Sequence, residues 1–325
     1  MSKKEIDILS PILSKPGRDQ LYHDITAQLG TITSITEASG GLVHYVYKVV
    51  GADQTAFLKI RSNHFSRIPQ ITTDPSLIRD EHQALQMFKE KSPLHFPNVL
   101  LFNATYHYLL LSDIMPGSVP LDVKYEKNSV TQADIGQLGL AVGEIHNSVS
   151  DVTLPVRQPD DTAYQNRMLG YIFELSEHPA LIKAAQEHKN RAKKLLIGDS
   201  SPKNTFVEGD KVGFCDLEGS YQGALAYDQG FLLAHVLLHQ GSEHHSIEAM
   251  HAFIDGYSQH TDIDLQDDLL LNTIQAVLLF RLVNPVISYN LLFSPLQRKN
   301  MAANVTNNLS KKTRNIEKIA EEMFK

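Results

Sequence analysis

The spacing of apolar and polar positions divides the chain into a part with a strand pattern and a longer part with a helix pattern. Residues 32–60 are rich in Val, Tyr, Thr and Ile, which predicts three short antiparallel strands. Glycines supply the expected turn signals in this stretch, at Gly40, Gly41 and Gly51. Two more strands are predicted at 99–103 and 106–112. The first part of the chain is therefore expected to be rich in β-structure.

One helix is predicted between the third and fourth of these strands. Asp74-Pro75 is a helix start signal. The residues that follow place one set of side chains on a single face of a helix: Leu77, Ile78, Glu81, Leu85 and Phe88. Because Glu81 lies on the same face as the apolar residues, we expect its carboxylate to have a partner.

After the Pro116-Gly117 pair, the pattern becomes mainly helical. Apolar residues recur at helical spacing through 135–149. Further helices are predicted over these segments: 163–175, 180–196 and from Tyr227 to the end of the chain. The sequence thus predicts an α+β protein with a small β-rich N-terminal lobe, residues 1–112, and a larger helical C-terminal lobe, residues 113–325.

Two short strand-like runs interrupt the helical part. Residues 205–207 and 212–215 are rich in β-branched and aromatic side chains, and the turn at 208–210 separates them. They predict a small hairpin within the C-terminal lobe.

Composition and charge narrow the class of protein. Of the 325 residues, 42% are hydrophobic, which is enough for a sizeable core. The formal net charge of -7 gives no electrostatic reason to expect nucleic acid or an anionic membrane as a partner. Residues 269–293 are apolar but hold too many polar groups for a membrane span.

The chain has a single cysteine, Cys215, which excludes an intramolecular disulfide and any site built from several thiolates. A reducing compartment is the simpler assumption. The first residues lack the apolar run of a signal peptide. We therefore expect a cytoplasmic protein.

Candidate chemistry is concentrated around the predicted hairpin. Asp199 and Asn204 lie five residues apart on the loop before it, and Asp216 follows its return strand. A hairpin returns such residues to one edge, where their oxygen atoms can meet. Phosphoryl transfer from a nucleotide needs a carboxylate to orient the attacking hydroxyl and hard oxygen ligands for Mg²⁺. Asp199 suits the first task, and Asn204 and Asp216 suit the second.

These motifs resemble those of the protein-kinase-like small-molecule kinases, a group that includes aminoglycoside phosphotransferases, methylthioribose kinase, choline kinase and fructosamine kinases. Gly198-Asp199-x-x-x-x-Asn204 is similar to their catalytic loop, and Asp216-Leu-Glu218 to their metal-binding Asp-x-Glu. The segment 224–228 is also similar to the one that follows in these families. The resemblance implies a bilobal, protein-kinase-like fold and covers the chain from about Ile32 to about His235.

The resemblance also assigns residues of the N-terminal lobe. Lys59 is placed like the lysine that grips the nucleotide phosphates, and Glu81 like the acid that pairs with it. Gly40 and Gly41 are placed in the loop that covers the phosphates, and the adenine is expected near 111–115, with Asp113 as a nucleotide-binding residue. The implied function is ATP- and Mg²⁺-dependent transfer of the γ-phosphate to a hydroxyl of a sugar, amino sugar or amino alcohol.

Two alternatives remain open at this point. Ile197 stands where these families usually have a histidine, and the glycine loop holds only two glycines, so a nucleotide-binding pseudokinase with a regulatory role is the second hypothesis. Glu218 is either a second metal ligand or a member of a salt bridge.

Overall fold

The structure is a computed structural model that describes residues 5–38, 41, 43–92, 94–153, 169–174, 177–284, 291–311 and 315–325. The chain forms two compact units. The first unit contains the chain up to Glu90 together with His95–Pro116 and Cys215–Glu218. The second contains Lys91–Leu94, Gly117–Phe214 and the chain from Gly219 onwards.

The first unit is built on a five-stranded antiparallel sheet with the strand order β1-β2-β3-β5-β4. Its strands are β1 (Ile32–Glu37), β2 (Tyr45–Gly51), β3 (Thr55–Ile60), β4 (Val99–Asn103) and β5 (Tyr108–Ser112). The five predicted strands are confirmed, but β5 begins at Tyr108 rather than at residue 106. The reason is a turn, in which Asn103 Oδ1 accepts hydrogen bonds from the backbone of Thr105 and Tyr106.

Two helices belong largely to this unit: α1 (Lys15–Leu29) and α2 (Ile78–Lys91). The sequence analysis missed α1, although Ser14 caps its first turn and apolar residues recur at four-residue spacing: Leu21, Ile25 and Leu29. These leucines and isoleucine pack in one core cluster with alternate strand residues such as Leu58 and Ile60. Because side chains alternate across a strand, Lys59 is left on the opposite face of the sheet.

The second unit is mainly helical. Its helices are α3 (Leu121–Glu126), α4 (Gln132–Ser148), α5 (Pro179–Asn190), α6 (Ala226–Leu238), α7 (Glu243–Tyr257), α8 (Asp268–Val283), α9 (Pro295–Leu309) and α10 (Ile316–Met323). The mixed architecture confirms the predicted fold class. In the part of the chain that the structure describes, no helix combines the length and apolar character needed to cross a membrane.

Two small antiparallel pairs complete this unit. The predicted hairpin is confirmed as β7 (Thr205–Glu208) and β8 (Lys211–Phe214). The other pair joins β6 (Lys194–Leu196) to β9 (Tyr221–Gly223).

The helix predicted over 180–196 is too long. It ends at Asn190, and residues 194–196 form β6 instead. Leu195 and Leu196 are both fully buried, and a short apolar run of this kind fits a buried strand as well as a helix. The helix predicted over 163–175 lies mostly outside the described residues.

Burial of His188 makes stability dependent on pH. This residue of α5 lies against Thr273, and burial together with the charge of Arg191 lowers its pKa to about 3. The unfolded chain, with a histidine pKa of about 6.5, takes up the proton first. The contribution of neutral His188 to the free energy of unfolding is therefore complete above about pH 6.5 and is lost as the pH falls towards 3.

Between pH 7 and pH 5, we expect the free energy of unfolding of His188→Gln to fall by about 2 kcal/mol less than that of the parent protein. Urea unfolding at each pH measures this difference. His245 is exposed, and His245→Gln is the matched control with an unchanged pH dependence. An equal loss in the His188 variant and the parent would contradict the assignment.

Candidate active site

Lys59 lies at the centre of a buried ion cluster in the first unit. Its Nζ donates to both carboxylate oxygens of Glu81, at 2.6 and 2.7 Å, and to Asp216 Oδ1 at 2.6 Å. Lys59 is 6% exposed and Glu81 is fully buried. The structure therefore brings together three of the residues that the sequence analysis selected, and Glu81 has the partner expected for it.

The charges of this cluster oppose the effect of burial. Burial alone would lower the pKa of Lys59, but the carboxylates of Asp216 and Glu81 outweigh it and raise that pKa. Burial raises the pKa of Glu81, and the nearby ammonium of Lys59 opposes that rise. The lysine is held as a cation whose position is fixed by two carboxylates, which suits contact with a polyanion.

Asp216 and Glu218 follow β8 within Cys215–Glu218, which belongs to the first unit, and Glu218 lies in a short 3₁₀ turn, Leu217–Gly219. Asp216 has a φ of +62°, a left-handed conformation that is uncommon for residues other than glycine and is found at functional sites. Glu218 Oε2 accepts a hydrogen bond from Arg61 Nη1 at 2.9 Å. Burial, followed by the charge of Asp216, raises the pKa of Glu218 to about 7.

In the second unit, Asp199 lies on the loop between β6 and β7. The backbone of this loop is fixed by Asp228 of α6, which accepts from Ile197 N at 2.6 Å and from Gly198 N at 3.0 Å. Asp228 also lies 3.1 Å from His146 Nε2. Gly198 has a φ of +87°, and a Cβ there would lie 2.0 Å from the carbonyl oxygen of Gly219, so only glycine fits.

These contacts explain why Ile197 is tolerated in the loop. The bond from Ile197 is made by its backbone, and its side chain is buried. Asp228, which the sequence analysis left without a role, provides the brace. The sequence signal that could have identified Asp228 is its position as an acid in the first turn of an otherwise apolar helix.

The side chain of Asp199 is partly exposed and lies near two cations. Lys203 Nζ is 3.7 Å from Oδ2, and Arg281 Nη2 is 3.9 Å from Oδ1. Arg281 is buried between the rings of Phe231 and Phe280. Its pKa is lowered to about 10 because burial outweighs the attraction of Asp199.

Asn204 ends the same loop. Its Nδ2 donates to the backbone oxygen of Asp199 at 3.0 Å, so Asn204 and Asp199 are held in a fixed relation. Asn204 is buried at the end of a short 3₁₀ turn, Pro202–Asn204.

The donor atoms present fit a divalent metal at some of the expected positions. The carboxylate of Asp216 and the amide oxygen of Asn204 are hard donors of the kind that Mg²⁺ takes. The Glu218 carboxylate is also a hard donor, and each of the two acids has one oxygen engaged by a cation: Asp216 Oδ1 by Lys59 and Glu218 Oε2 by Arg61.

The remaining expected site residues are placed as follows. Gly41 lies in the connection between β1 and β2, and Gly40 lies outside the described residues. Asp113 directly follows β5 in the first unit and is half-buried.

Asp228 is expected to stabilise the loop that carries Asp199. Asp228→Ala leaves the buried N–H groups of Ile197 and Gly198 without their acceptor. We expect a loss of about 3 kcal/mol in the free energy of unfolding, measured by urea titration. Asp255 is exposed on α7, and Asp255→Ala should unfold at the parent's urea midpoint. A loss below about 0.5 kcal/mol in the Asp228 variant would show that the brace is unimportant.

Comparisons with known proteins identify the family of the chain and solved structures that share its fold. The model of the phosphotransferase enzyme family matches residues 34–264, which is more than half of the chain. No curated protein sequence matches significantly. Amicoumacin kinase hAmiN has a similar fold, with a TM-score of 0.56, 15% identity and 97% of each chain covered.

Two further solved structures share the fold at low identity. Choline kinase LicA from Streptococcus pneumoniae has a TM-score of 0.55 and 12% identity, with 89% of this chain and 98% of that chain covered. Spectinomycin phosphotransferase APH(9)-Ia has a TM-score of 0.53 and 13% identity, with 94% and 98% covered.

Proposed function

The chain belongs to the phosphotransferase enzyme family, and from this premise we propose that it transfers the γ-phosphate of ATP to a hydroxyl group of a small molecule. The acceptor classes are a sugar, an amino sugar or an amino alcohol. The observation that carries the proposal is the buried cluster in which Glu81 and Asp216 hold the Lys59 ammonium. Burying a lysine and two acids costs desolvation free energy, and binding nucleotide phosphates is a function that such a fixed ammonium can perform.

Each task in the proposed reaction is assigned to named residues. Lys59 binds the α- and β-phosphates, and Glu81 keeps its ammonium in place. Gly40 and Gly41 offer backbone N–H groups to the phosphates, and the adenine lies near Asp113. Asn204 and Asp216 would hold Mg²⁺, which when bound neutralises charge on the phosphates.

Asp199 acts on the acceptor. Its carboxylate accepts a hydrogen bond from the attacking hydroxyl and aims the oxygen at the γ-phosphorus. It takes the proton late, since positioning and charge neutralisation supply most of the rate enhancement in this reaction. The bonds from Asn204 and Asp228 to this loop fix where the carboxylate can point.

The similar folds support the choice of ligands. One relative is described in complex with AMP-PNP, and another with ADP and spectinomycin. The single cysteine suits a reducing compartment, so we place the activity in the cytoplasm. The net charge of -7 favours neither nucleic acid nor an anionic membrane as a partner.

An acceptor screen tests the proposal. Purified protein is incubated with Mg²⁺ and either ATP or GTP, and nucleoside diphosphate release is followed with amino alcohols, pentoses, hexoses and amino sugars. Acceptor-dependent release, with a phosphorylated product identified by mass spectrometry, is the expected result. Tight nucleotide binding in a thermal-shift assay with no transfer to any acceptor would instead support the pseudokinase hypothesis.

A further inference from the structure

Two ion pairs in the first unit repeat with the same spacing. Lys59 and Arg61 lie two residues apart at β3, and Asp216 and Glu218 lie two residues apart after β8. Lys59 Nζ pairs with Asp216 Oδ1 at 2.6 Å, and Arg61 Nη1 pairs with Glu218 Oε2 at 2.9 Å. Of these four residues, Arg61 alone has no role predicted from the sequence.

Arg61 is buried and its guanidinium has several directed contacts. Besides Glu218, Nη1 lies 3.3 Å from His44 Nε2, and Nη2 donates to Thr73 Oγ1 at 2.7 Å. His44 precedes β2 and Thr73 precedes α2, so Arg61 ties three parts of the first unit together. A planar, permanently charged fork is suited to this kind of fixed contact.

The surroundings keep His44 neutral and therefore able to accept a hydrogen bond from Arg61. Its pKa is lowered well below the ordinary value by burial and by the charges of Lys59 and Arg61. The ion pairs of this region join two cations, Lys59 and Arg61, to three acids: Glu81, Asp216 and Glu218.

Withdrawing Glu218 from this arrangement to bind a metal would be unfavourable. Arg61 would keep its charge, which cannot be removed by deprotonation, and would lose its carboxylate partner at a position only 7% exposed. Moving Asp216 to a metal would still leave the Lys59 ammonium paired with both oxygens of Glu81.

We propose that Arg61 is a positioning residue that holds Glu218 out of the metal coordination shell, leaving Asp216 as the metal-binding carboxylate of the Asp-x-Glu pair. Arg61 then supplies a fixed positive charge beside the phosphate-binding lysine, and Glu218 is structural. The inference rests on the proposed nucleotide- and metal-dependent function.

Manganese binding separates Glu218 from Asp216 without relying on turnover. Free Mn²⁺ is measured by electron paramagnetic resonance while the protein, saturated with AMP-PNP, is titrated with Mn²⁺. We expect Glu218→Gln to keep the parent's Mn²⁺ dissociation constant within about twofold and Asp216→Asn to raise it about tenfold or more. Weakening of equal size in the two variants would overturn the inference.

Arg61→Met gives a result that structural damage would not produce. Removing the guanidinium releases Glu218, so we expect Mn²⁺ to bind about tenfold more tightly as a carboxylate is added to its ligands. The double variant R61M/E218Q should return to the parent's affinity. Unchanged or weaker binding in a folded Arg61→Met protein counts against the inference.

Controls distinguish the possible failures. Arg67 forms an exposed ion pair with Glu37, and Arg67→Met should leave Mn²⁺ binding unchanged. If Arg61→Met does not fold, the comparison of Glu218→Gln with Asp216→Asn decides alone. A parent protein that binds no Mn²⁺ with AMP-PNP would overturn the proposed function and this inference together, whereas loss in Glu218→Gln alone overturns only the inference.

Discussion

Replacing Asp199 with Asn is expected to reduce the turnover number by about a thousandfold or more while the fold and the nucleotide affinity are retained. An amide keeps the shape of the side chain but cannot take the proton of the acceptor hydroxyl. Asp199 is partly exposed, and its backbone rather than its carboxylate receives the bond from Asn204. The loop should therefore keep its conformation in the variant.

The measurement is a steady-state assay with an acceptor found in the screen, together with nucleotide binding by calorimetry. Asp210, exposed on the turn of the β7–β8 hairpin, provides the matched control, and Asp210→Asn should have the parent's turnover number. Retention of more than about a tenth of the parent's turnover in Asp199→Asn would exclude Asp199 as the catalytic acid–base group.

Replacing Lys59 with Met is expected to have the largest effect on both stability and nucleotide binding. The ammonium is the shared partner of Glu81 and Asp216, and Glu81 is fully buried. Removing one partner of a buried ion pair leaves an uncompensated charge and costs about 3 to 5 kcal/mol. Nucleotide affinity should fall as well, because the phosphates lose their cation.

Urea unfolding and nucleotide titration measure the two effects separately. The double variant K59M/E81Q should recover part of the stability, since the buried carboxylate is then removed, but should not recover nucleotide affinity. Lys48 is exposed on the neighbouring strand β2, and Lys48→Met should match the parent in both measurements. A stable Lys59→Met protein with normal nucleotide affinity would contradict the proposed role.

Much of the candidate site could be predicted because its signals are local in sequence. Asp199 and Asn204 share one loop, and Asp216 ends the adjoining hairpin. Lys59 and Glu81 are separated by a strand end and a helix start, both of which have recognisable signals. The missed helix α1 shows the limit, since its spacing and cap were present but nothing in the site motifs drew attention to it.

Other features depend on contacts between residues far apart in sequence. Arg61 meets Glu218 across 157 positions, and Asp228 reaches back 31 and 30 positions to the loop at Ile197 and Gly198. In each case several polar side chains could have been the partner. Only packing decides which of them are buried together, because burial makes an unpaired polar group costly.

By itself, the sequence determined most of the strands and helices, though not α1, β6 or β9, and the identity of the lysine, acids and amide suited to phosphoryl transfer. The elements follow from periodicity, and Asp199, Asn204 and Asp216 follow from the chemistry that each side chain can perform. Lys59 and Glu81 were indicated by the resemblance to known kinases. The tertiary structure decided which further charges meet: Asp216 joins the expected pair of Lys59 and Glu81, and Arg61 pairs with Glu218. The physical reason is that side-chain chemistry is a property of single residues, whereas the energy of a buried charge depends on the neighbours that folding brings to it.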